Sequence, residues 1–435
     1  MIRFTLIVLQ ALLLCNSVHG ILIYVSSYTG NVSVLSLTYE HFASTGSAAY
    51  VEDGYFAGFA PKKKYNLTVV DTFKTPTESP ALLTLNKHNN ILYVVDGTTT
   101  GNGTLTAYRT SSKNGTGPPV ELDSVECLLD GAFANFYANG KALAVAHYTS
   151  SAIQTYDVTA PNGTLKSLQT FTYTMAKPGP AGARQAAPHI HQTLADPLGL
   201  YLLGIDLGAD LVRVYAINHE TLLLEERPAQ NATSGSGPRH GVFTQEPILF
   251  PDGTASYVFY LGAEIAGTIT AFRVTYLPNQ AGLHLTPLPN GTYSSLEPGT
   301  PKPSTGGKGI TSELRLSADG DYLIVSNRRD ARFSGTPAQY PPNGTSDSIS
   351  TFRIRQDLAG KLDFVQAAPV GGALARSYDL NRAGNLAVIG IQEGNRVTVL
   401  ERDLGSGLFS EQVAEVEVEG EIWGVLFNEE VGFNH

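Results

Sequence analysis

Two histidines two residues apart stand out in the middle of the chain, because the segment around them otherwise alternates between apolar and polar residues. His189 and His191 lie in the run PHIHQTL. Arg184 precedes them in a Gly/Pro-rich stretch, and Asp206 follows the next apolar run. Imidazole exchanges protons near neutral pH, and guanidinium groups bind carboxylates and developing oxyanions. These residues could therefore perform acid–base chemistry on an anionic substrate.

Comparable polar residues recur along the chain at two kinds of position. One is the start of an apolar run, and the other directly follows the apolar run that comes after it. These residues are Arg239, His240 and Glu264, then Glu313 and Arg328, and also His147 and Gln392. Each has a plain structural interpretation as well, since a lone histidine is often hydrogen-bonded framework and Asp206 could cap a turn. A metal held by the histidine pair and Glu264 is the weaker interpretation, because no third ligand follows at a diagnostic spacing.

The elements that must position these residues follow an internal repeat of about sixty residues. A short apolar strand recurs seven times, and an alternating strand follows most copies. The apolar strands are 22–26, 92–95, 143–146, 201–205, 257–260, 322–326 and 386–390. Such small sheets bury both faces only when they pack radially, so the pattern predicts an all-β, seven-bladed β-propeller. If PHIHQTL is an inner strand, His189 and His191 share one face, because alternate side chains on a strand point the same way.

The two ends of the chain predict how the ring closes. The first strand, ILIYVSS, has no inner strand before it, whereas the apolar run at 421–427 has no partner in the repeat. We therefore predict that this C-terminal strand is the inner strand of blade 1. Residues 40–76 fit the repeat poorly and are expected to form the outer part of blade 1 with a long loop. Within them, Lys62, Lys63 and Lys64 are expected in a solvated loop.

Residues 1–20 have the pattern of a secretory signal peptide, with a basic start, a short apolar core and a small residue at the boundary. The remainder, 21–435, is interpreted as a single propeller domain. Asn-x-Ser/Thr sequons begin at Asn31, Asn66, Asn102, Asn114, Asn162, Asn231, Asn290 and Asn343. We therefore expect a secreted glycoprotein. An uncleaved membrane anchor is the alternative.

Composition excludes several partners. The net charge of −10, without a long basic tract, argues against nucleic acid. No segment after the signal is apolar for long enough to cross a bilayer, so no membrane partner is expected. Cys127 is the only cysteine of the mature chain, which leaves no intrachain disulfide and predicts a buried, inert thiol. A monomer without a cofactor is expected.

Four segments carry a resemblance to a known family. RQAAPHIHQTLADPLGLYLLGIDLGADLVRVY, GPRHGVF, SELRLSADGDYLIVSNR and ARSYDLNRAGNLAVIG are similar to the lactonase family of seven-bladed propellers. That family includes bacterial 6-phosphogluconolactonases and fungal carboxy-cis,cis-muconate cyclases, so the resemblance implies hydrolysis or formation of a lactone without a metal. The residues that match its channel-mouth motifs are Arg184, His189, His191, Asp206, Arg239, His240, Glu264 and Arg328.

The resulting hypothesis is an enzyme that opens or closes a lactone ring of an acidic small molecule. The predicted catalytic residues are His189, His191, Arg184, Arg239 and Glu264. The predicted substrate-binding residues are His147, Asp206, His240, Glu313, Arg328 and Gln392. One of the two paired histidines would be the acid and base, two arginines would clamp anions, and Glu264 or Asp206 would orient a histidine. The alternatives are a non-catalytic propeller that binds an acidic ligand or glycan, and a metal-dependent lactone hydrolase.

Overall fold

The computed structural model describes residues 20–42, 62–110, 118–303, 309–334 and 344–429. Within them the chain forms seven four-stranded antiparallel sheets and two short hairpins, and its only helices are three short 3₁₀ turns. The predicted all-β, seven-bladed propeller is therefore confirmed. The predicted signal peptide lies outside the described residues, apart from Gly20.

The strands of each blade run from the inner to the outer edge of its sheet. They are, for blade 1, β32 (Ile422–Asn428), β1 (Ile21–Ser27), β2 (Asn31–Phe42) and β3 (Lys62–Lys74); blade 2, β4 (Pro80–Asn86), β5 (Ile91–Asp96), β6 (Gly103–Arg109) and β7 (Val120–Cys127); blade 3, β8 (Gly131–Tyr137), β9 (Ala142–His147), β10 (Ala152–Asp157) and β11 (Lys166–Thr172); blade 4, β12 (Ile190–Ala195), β13 (Tyr201–Asp206), β14 (Leu211–Ile217) and β15 (Leu224–Asn231); blade 5, β16 (Pro238–Phe243), β19 (Val258–Ala263), β20 (Thr268–Tyr276) and β21 (Leu283–Ser294); blade 6, β22 (Thr311–Leu316), β23 (Tyr322–Asn327), β26 (Ser348–Arg355) and β27 (Lys361–Pro369); blade 7, β28 (Ala373–Leu380), β29 (Leu386–Glu393), β30 (Arg396–Arg402) and β31 (Phe409–Glu417).

The second strands of the blades are more buried than the outer strands. The second strands β5, β9, β13 and β23 are buried at every residue, whereas the outer strand β15 is largely exposed. Strands covered on both faces can be continuously apolar, which explains why the apolar repeat was readable in the sequence. The seven hydrophobic clusters each join two neighbouring blades, so the core is the set of interfaces between blades.

The inner strands contact one another in ring order, from β32 through β4, β8, β12, β16, β22 and β28 and back to β32. Strand β1 pairs antiparallel with both β2 and β32, with Tyr24 opposite Leu426. The Asn428 side chain donates a hydrogen bond to the Tyr24 hydroxyl, 3.1 Å away. The predicted closure of blade 1 by the C-terminal strand is therefore confirmed.

Two expectations about blade 1 have different outcomes. The outer strand β3 does come from the 40–76 segment, of which residues 43–61 lie outside the described residues. The lysine triplet, however, is not in a loop, because it forms the start of β3 and pairs with the end of β2. Strand pairing extends further in this blade than the sequence indicated, and Lys64 is exposed on the outer edge.

Two short hairpins are additions outside the seven blade sheets. In blade 5 the extra residues form a hairpin of β17 (Ile248–Leu249) and β18 (Ala255–Ser256). In blade 6 the long loop contains the short pair β24 (Phe333–Ser334) and β25 (Thr345–Ser346). Cys127 is buried and free, and burial raises the pKa of its thiol to about 12. None of the helices in the described ranges has the length and apolarity needed to span a membrane.

Candidate active site

The inner strand of every blade carries a β-bulge near its start. Its pairing with the second strand slips by one residue at the same place in all seven blades. The residues at the slips are Trp423, Ala81, Ala132, His191, Arg239, Ser312 with Glu313, and Arg376. A bulged residue leaves the hydrogen-bonded ladder and its side chain is redirected, so these residues are positioned independently of the regular alternation.

A second repeated feature links the end of the second strand to the start of the inner strand. These ends lie at one end of the central channel, which we call the mouth. In six blades the first residue after the second strand donates its backbone N–H to the carbonyl of the residue before the inner strand. The pairs are Tyr28 with Glu421, Gly97 with Ser79, Tyr148 with Asp130, Leu207 with His189, Glu264 with Gly237, and Arg328 with Ile310. Side chains from several of these positions and bulges build one end of the channel.

Glu264 is the buried centre of this site, and three arginines bind its carboxylate. Arg184 Nη2 lies 2.5 Å from Oε1, while Arg239 Nε and Arg328 Nη2 each lie 2.9 Å from Oε2. Burial by itself would raise the pKa of Glu264, but Arg328, Arg239 and Arg184 outweigh it and lower the pKa to about 2. One carboxylate thus faces three guanidinium groups, which leaves an excess of positive charge for an anionic ligand.

The three arginines differ in access. The side chains of Arg239 and Arg328 are only 3% and 7% exposed, whereas that of Arg184 is 31% exposed. Arg184 comes from the 3₁₀ turn Gly182–Gln185 that precedes β12. Arg239 and Arg328 therefore hold Glu264 in place, and Arg184 is the member of the group that a ligand can reach.

Tyr148 connects the arginine group to the histidines. Its ring stacks on His189 with centroids 4.2 Å apart and planes 8° apart, and its edge meets His191 at 5.8 Å. Its hydroxyl hydrogen-bonds with Arg184, and burial raises the pKa of the phenol, so Tyr148 stays neutral near pH 7. Sequence reasoning missed Tyr148, although it directly follows the predicted site residue His147.

The geometry assigns the protonation of His189. Its Nδ1 lies 3.0 Å from the Tyr148 carbonyl oxygen, which can only accept a hydrogen bond. Nδ1 therefore carries a proton, so in the neutral ring it is Nε2 that holds the lone pair. The ring is only partly buried. His189 thus presents an imidazole nitrogen that can take a proton from a bound molecule.

His191 and His240 form a buried pair behind His189. His240 Nε2 lies 3.2 Å from His191 Nδ1 and 3.3 Å from Arg239 Nη1. Because guanidinium only donates, His240 Nε2 accepts, and His191 Nδ1 is then the donor. Burial, followed by the Arg239 charge, lowers the pKa of both histidines well below the usual range, so both are neutral. They are poor candidates for proton exchange with solvent.

The predicted orientation of His189 and His191 needs correction. His189 lies before β12, and the bulge at His191 interrupts the alternation that would have put both on one face. Both rings still contact Tyr148, but one is partly exposed and the other is buried. The bulge places His191 against His240, which in turn contacts Arg239.

Glu264 and Asp206 do not orient a histidine ring. Glu264 binds arginines, and its link to the histidines passes through Arg239. Asp206 accepts hydrogen bonds from the backbone N–H groups of His189 and Ala209 and pairs with Arg213 at 2.7 Å. All its contacts are therefore framework contacts, and it fixes the backbone of His189 rather than its ring.

Three further predicted binding residues lie outside this set of contacts. His147 is buried at the end of β9, and burial lowers its pKa to about 4. Glu313 pairs with Arg315 at 2.7 Å and lines a cavity of about 590 Å³ that includes the last residues of several inner strands, near the other end of the channel. Gln392 bonds the Glu421 side chain on the exposed rim.

The site offers little to a metal ion. The oxygens of Glu264 are bound by guanidinium groups, and the nitrogens between His191 and His240 face each other. Across the described ranges, no three histidine, cysteine, aspartate or glutamate side chains lie close enough together to bind one ion. The arrangement instead combines an available imidazole nitrogen, a neutral phenol and excess positive charge, which suits acid–base chemistry on an anion.

Comparisons with known proteins agree with this architecture. A protein of Arthroderma benhamiae named probable 6-phosphogluconolactonase is 28% identical over 345 residues, which are 78% of this chain and 79% of that protein. The 6-phosphogluconolactonase of Bacillus subtilis is 24% identical over 336 residues, which are 76% and 82%. The fold is shared with a periplasmic gluconolactonase of Pseudomonas aeruginosa, at 24% identity and a TM-score of 0.69, over 94% of this chain and 99% of that one. The family description "Lactonase, 7-bladed beta-propeller" matches residues 55–426, so the chain belongs to the lactonase family of seven-bladed β-propellers.

Proposed function

We propose that the protein is an enzyme that hydrolyses the ring of an anionic lactone, with His189 as the base. The observation that carries the proposal is the position of His189, which stacks on Tyr148 and donates its Nδ1–H to the Tyr148 carbonyl, so that Nε2 is the basic nitrogen. The names of the two 6-phosphogluconolactonase relatives support a lactone substrate. A base next to excess positive charge is what hydrolysis of such a substrate requires.

In the proposed reaction His189 Nε2 removes a proton from water, and the resulting hydroxide attacks the lactone carbonyl carbon. The carbonyl oxygen becomes an oxyanion, which the Arg184 guanidinium and the Tyr148 hydroxyl stabilise. The ring C–O bond then breaks, and the leaving alkoxide takes the proton from His189. The product is a hydroxy acid, and His189 returns to its starting state. Arg239, Arg328 and Glu264 hold the charged framework in place.

The test is a comparison of glucono-1,5-lactone and its 6-phosphate as substrates of the wild type and of His189→Gln. We expect the variant to lose about 10²- to 10⁴-fold in kcat, the usual contribution of a general base. The matched control is His219→Gln, because His219 also bonds a backbone carbonyl, that of Gly199, but lies exposed on blade 4. Full activity of His189→Gln would contradict the assignment.

Two other results would redirect the proposal. Saturable lactone binding without turnover by the wild type would favour the non-catalytic propeller. Turnover only in the direction of ring closure, tested with carboxy-cis,cis-muconate, would favour a cyclase, in which arginines hold the carboxylates and a histidine delivers a proton to carbon. The same residues serve both directions, so the direction is decided by the assay.

We also propose that the protein is secreted and N-glycosylated. Exposure separates the sequons that the structure describes, because Asn31 is only 9% exposed and bonds Glu419, whereas the others are exposed. The exposed ones are Asn66, Asn102, Asn162, Asn231 and Asn290. We expect glycans on these five and none on Asn31, measured by mass spectrometry after enzymatic deglycosylation in ¹⁸O water. Retention of the whole chain inside the producing cells would contradict secretion.

A further inference from the structure

Arg376 is a cation at the mouth that the proposed hydrolysis does not use. It is the bulged residue of β28, the inner strand of blade 7, and its side chain is only partly buried. Its guanidinium carbon lies 4.2 Å from the centre of the Trp423 ring. Trp423 is itself the bulged residue of β32, so two neighbouring blades bring this pair together through the same backbone irregularity.

No carboxylate among the described residues forms an ion pair with Arg376, although the charges of Arg376 and Asp130 act on each other. Arg184, Arg239 and Arg328 share Glu264, but Arg376 forms no ion pair with any residue in the described part of the chain. After burial and Arg239, Arg376 is the next influence that lowers the pKa of His191. Its charge therefore acts on the same space as the arginine group.

Contact with an aromatic face has a specific consequence for an arginine. Cation–π stacking fixes the plane of the guanidinium but uses none of its five N–H donors. Those donors remain available for a carboxylate or phosphate, which arginine binds with two parallel hydrogen bonds. Trp423 thus orients Arg376 without competing for the groups that would bind a ligand.

The surrounding residues are shaped to keep Trp423 in this position. Tyr28, which is 39% exposed, packs on Trp423 with ring centroids 4.6 Å apart. On another side lies Gly97, where a Cβ atom would come within 2.7 Å of Cη2 of Trp423. Any larger residue at Gly97 would displace the indole, so the space for Trp423 is provided by the absence of a side chain.

We propose that Arg376, oriented by Trp423, is a specificity subsite that binds a second anionic group of the substrate, remote from the lactone carbonyl. The proposal deepens the proposed function and rests on it for the lactone. Its own content is the role of two residues: Arg376 as the anion-binding residue and Trp423 as the positioning residue. The subsite selects substrates with a phosphate or carboxylate on the arm of the ring over neutral ones.

Trp423 is the only tryptophan of the chain, so intrinsic fluorescence reports on the subsite directly. The experiment titrates the wild type with gluconate, 6-phosphogluconate and glucarate, which carry one carboxylate, a carboxylate with a phosphate, and two carboxylates. We expect saturable fluorescence changes and at least tenfold tighter binding of one or both doubly anionic ligands than of gluconate. Which of the two binds tighter identifies phosphate or carboxylate as the preferred group.

The decisive variant is Arg376→Gln. Because it loses a charge-assisted hydrogen-bond pair, the variant should bind the preferred dianion about 10- to 100-fold more weakly, while its affinity for gluconate changes little. The matched control is Arg273→Gln, because Arg273 also lies 4.2 Å over an aromatic ring, that of Phe250, but on the third strand of blade 5, away from the site. Gly97→Ala should also weaken binding of the dianion, since it moves Trp423 and leaves every charge in place.

The outcomes separate this subsite from the proposed hydrolysis. An unchanged dianion preference in Arg376→Gln, or an equal loss for gluconate and the dianion, would overturn the subsite. Both measurements use ring-opened ligands and need no turnover, so they remain valid if the enzyme hydrolyses no lactone. Conversely, loss of activity in His189→Gln with intact dianion binding would support His189 as the base. Dianion binding by Arg376→Gln then decides whether the subsite exists.

Discussion

Three buried histidines make the stability of the fold sensitive to acid. Burial lowers the pKa of His147 to about 4 and those of His191 and His240 well below the usual range. In the unfolded chain each would bind a proton as the pH falls through about 6.5, while in the folded chain they stay neutral. The unfolded state therefore gains protons first. The free energy of unfolding falls from about pH 6.5 toward pH 4, by up to about 1.4 kcal/mol per pH unit for each histidine.

His147 gives the clean test, because it lies outside the site and its ring nitrogens make no well-formed hydrogen bond with the described residues. We expect His147→Leu to reduce the pH dependence of the free energy of unfolding by about one proton between pH 6.5 and 4. Urea unfolding at several pH values measures it. The exposed His219, changed to Gln, should leave the slope unaltered. An unchanged slope in His147→Leu would show that His147 does not titrate as described.

Residue type alone drew attention to several residues that the fold brings together. An arginine or glutamate near the end of an apolar strand is costly to bury without a partner, so Arg184, Arg239 and Glu264 were conspicuous in the sequence. Their actual partners were not predictable, because the three arginines on Glu264 come from three different blades. The sequence suggested a carboxylate that orients a histidine, whereas the folded chain uses it to hold arginines together.

At the scale of the strand, a shift of one residue separates framework from site. The last residue of the second strand is a buried polar group in several blades: Asp96, His147, Asp206 and Asn327. The residue after it is Tyr148, Glu264 or Arg328 in blades 3, 5 and 6, and these are the ones that form the site. The sequence singled out His147 and Asp206 by their polarity, whereas His147 is buried at the end of β9 and Asp206 bonds framework groups.

The bulges explain what else the sequence did not reveal. A bulge is a property of the pairing between two strands, so the local sequence pattern of β28 or β32 does not predict one. From the sequence alone, Trp423 is indistinguishable from a core residue of an apolar strand, and Arg376 from other charged residues at strand starts. Only the assembled ring shows that both leave the ladder at the same position as His191 and Arg239.

At the scale of the whole molecule, the seven-fold repeat and its closure were predictable because they depend on local patterns that recur. The apolar second strands keep their pattern in every blade, and the unmatched strand near the C-terminus had one free place in the ring. Within the described ranges, the additions in blades 5 and 6 have no counterpart in the other blades. The sequence therefore determined the architecture but not the shape of the pocket.

Strand β32 must hold the ring closed, because among the described strands it is the inner strand of blade 1, and Cys127 is a free thiol. Its residues Ile422, Val425 and Phe427 also belong to the core shared with blade 7. A chain that ends at Gly420 would expose the edge of β1 and open that core. We expect its melting temperature to fall by roughly 10 °C or more, or cooperative unfolding to be lost.

The truncated chain also allows the closure to be measured in the reverse direction. It contains no tryptophan, so a synthetic peptide of residues 421–429 brings the only indole to the mixture. In the full chain Trp423 is 7% exposed, so docking of the peptide between β1 and blade 7 should shift its emission to the blue and restore the melting temperature. A scrambled peptide of the same composition is the control. A truncated chain as stable as the full chain would show that β32 is not what closes the ring.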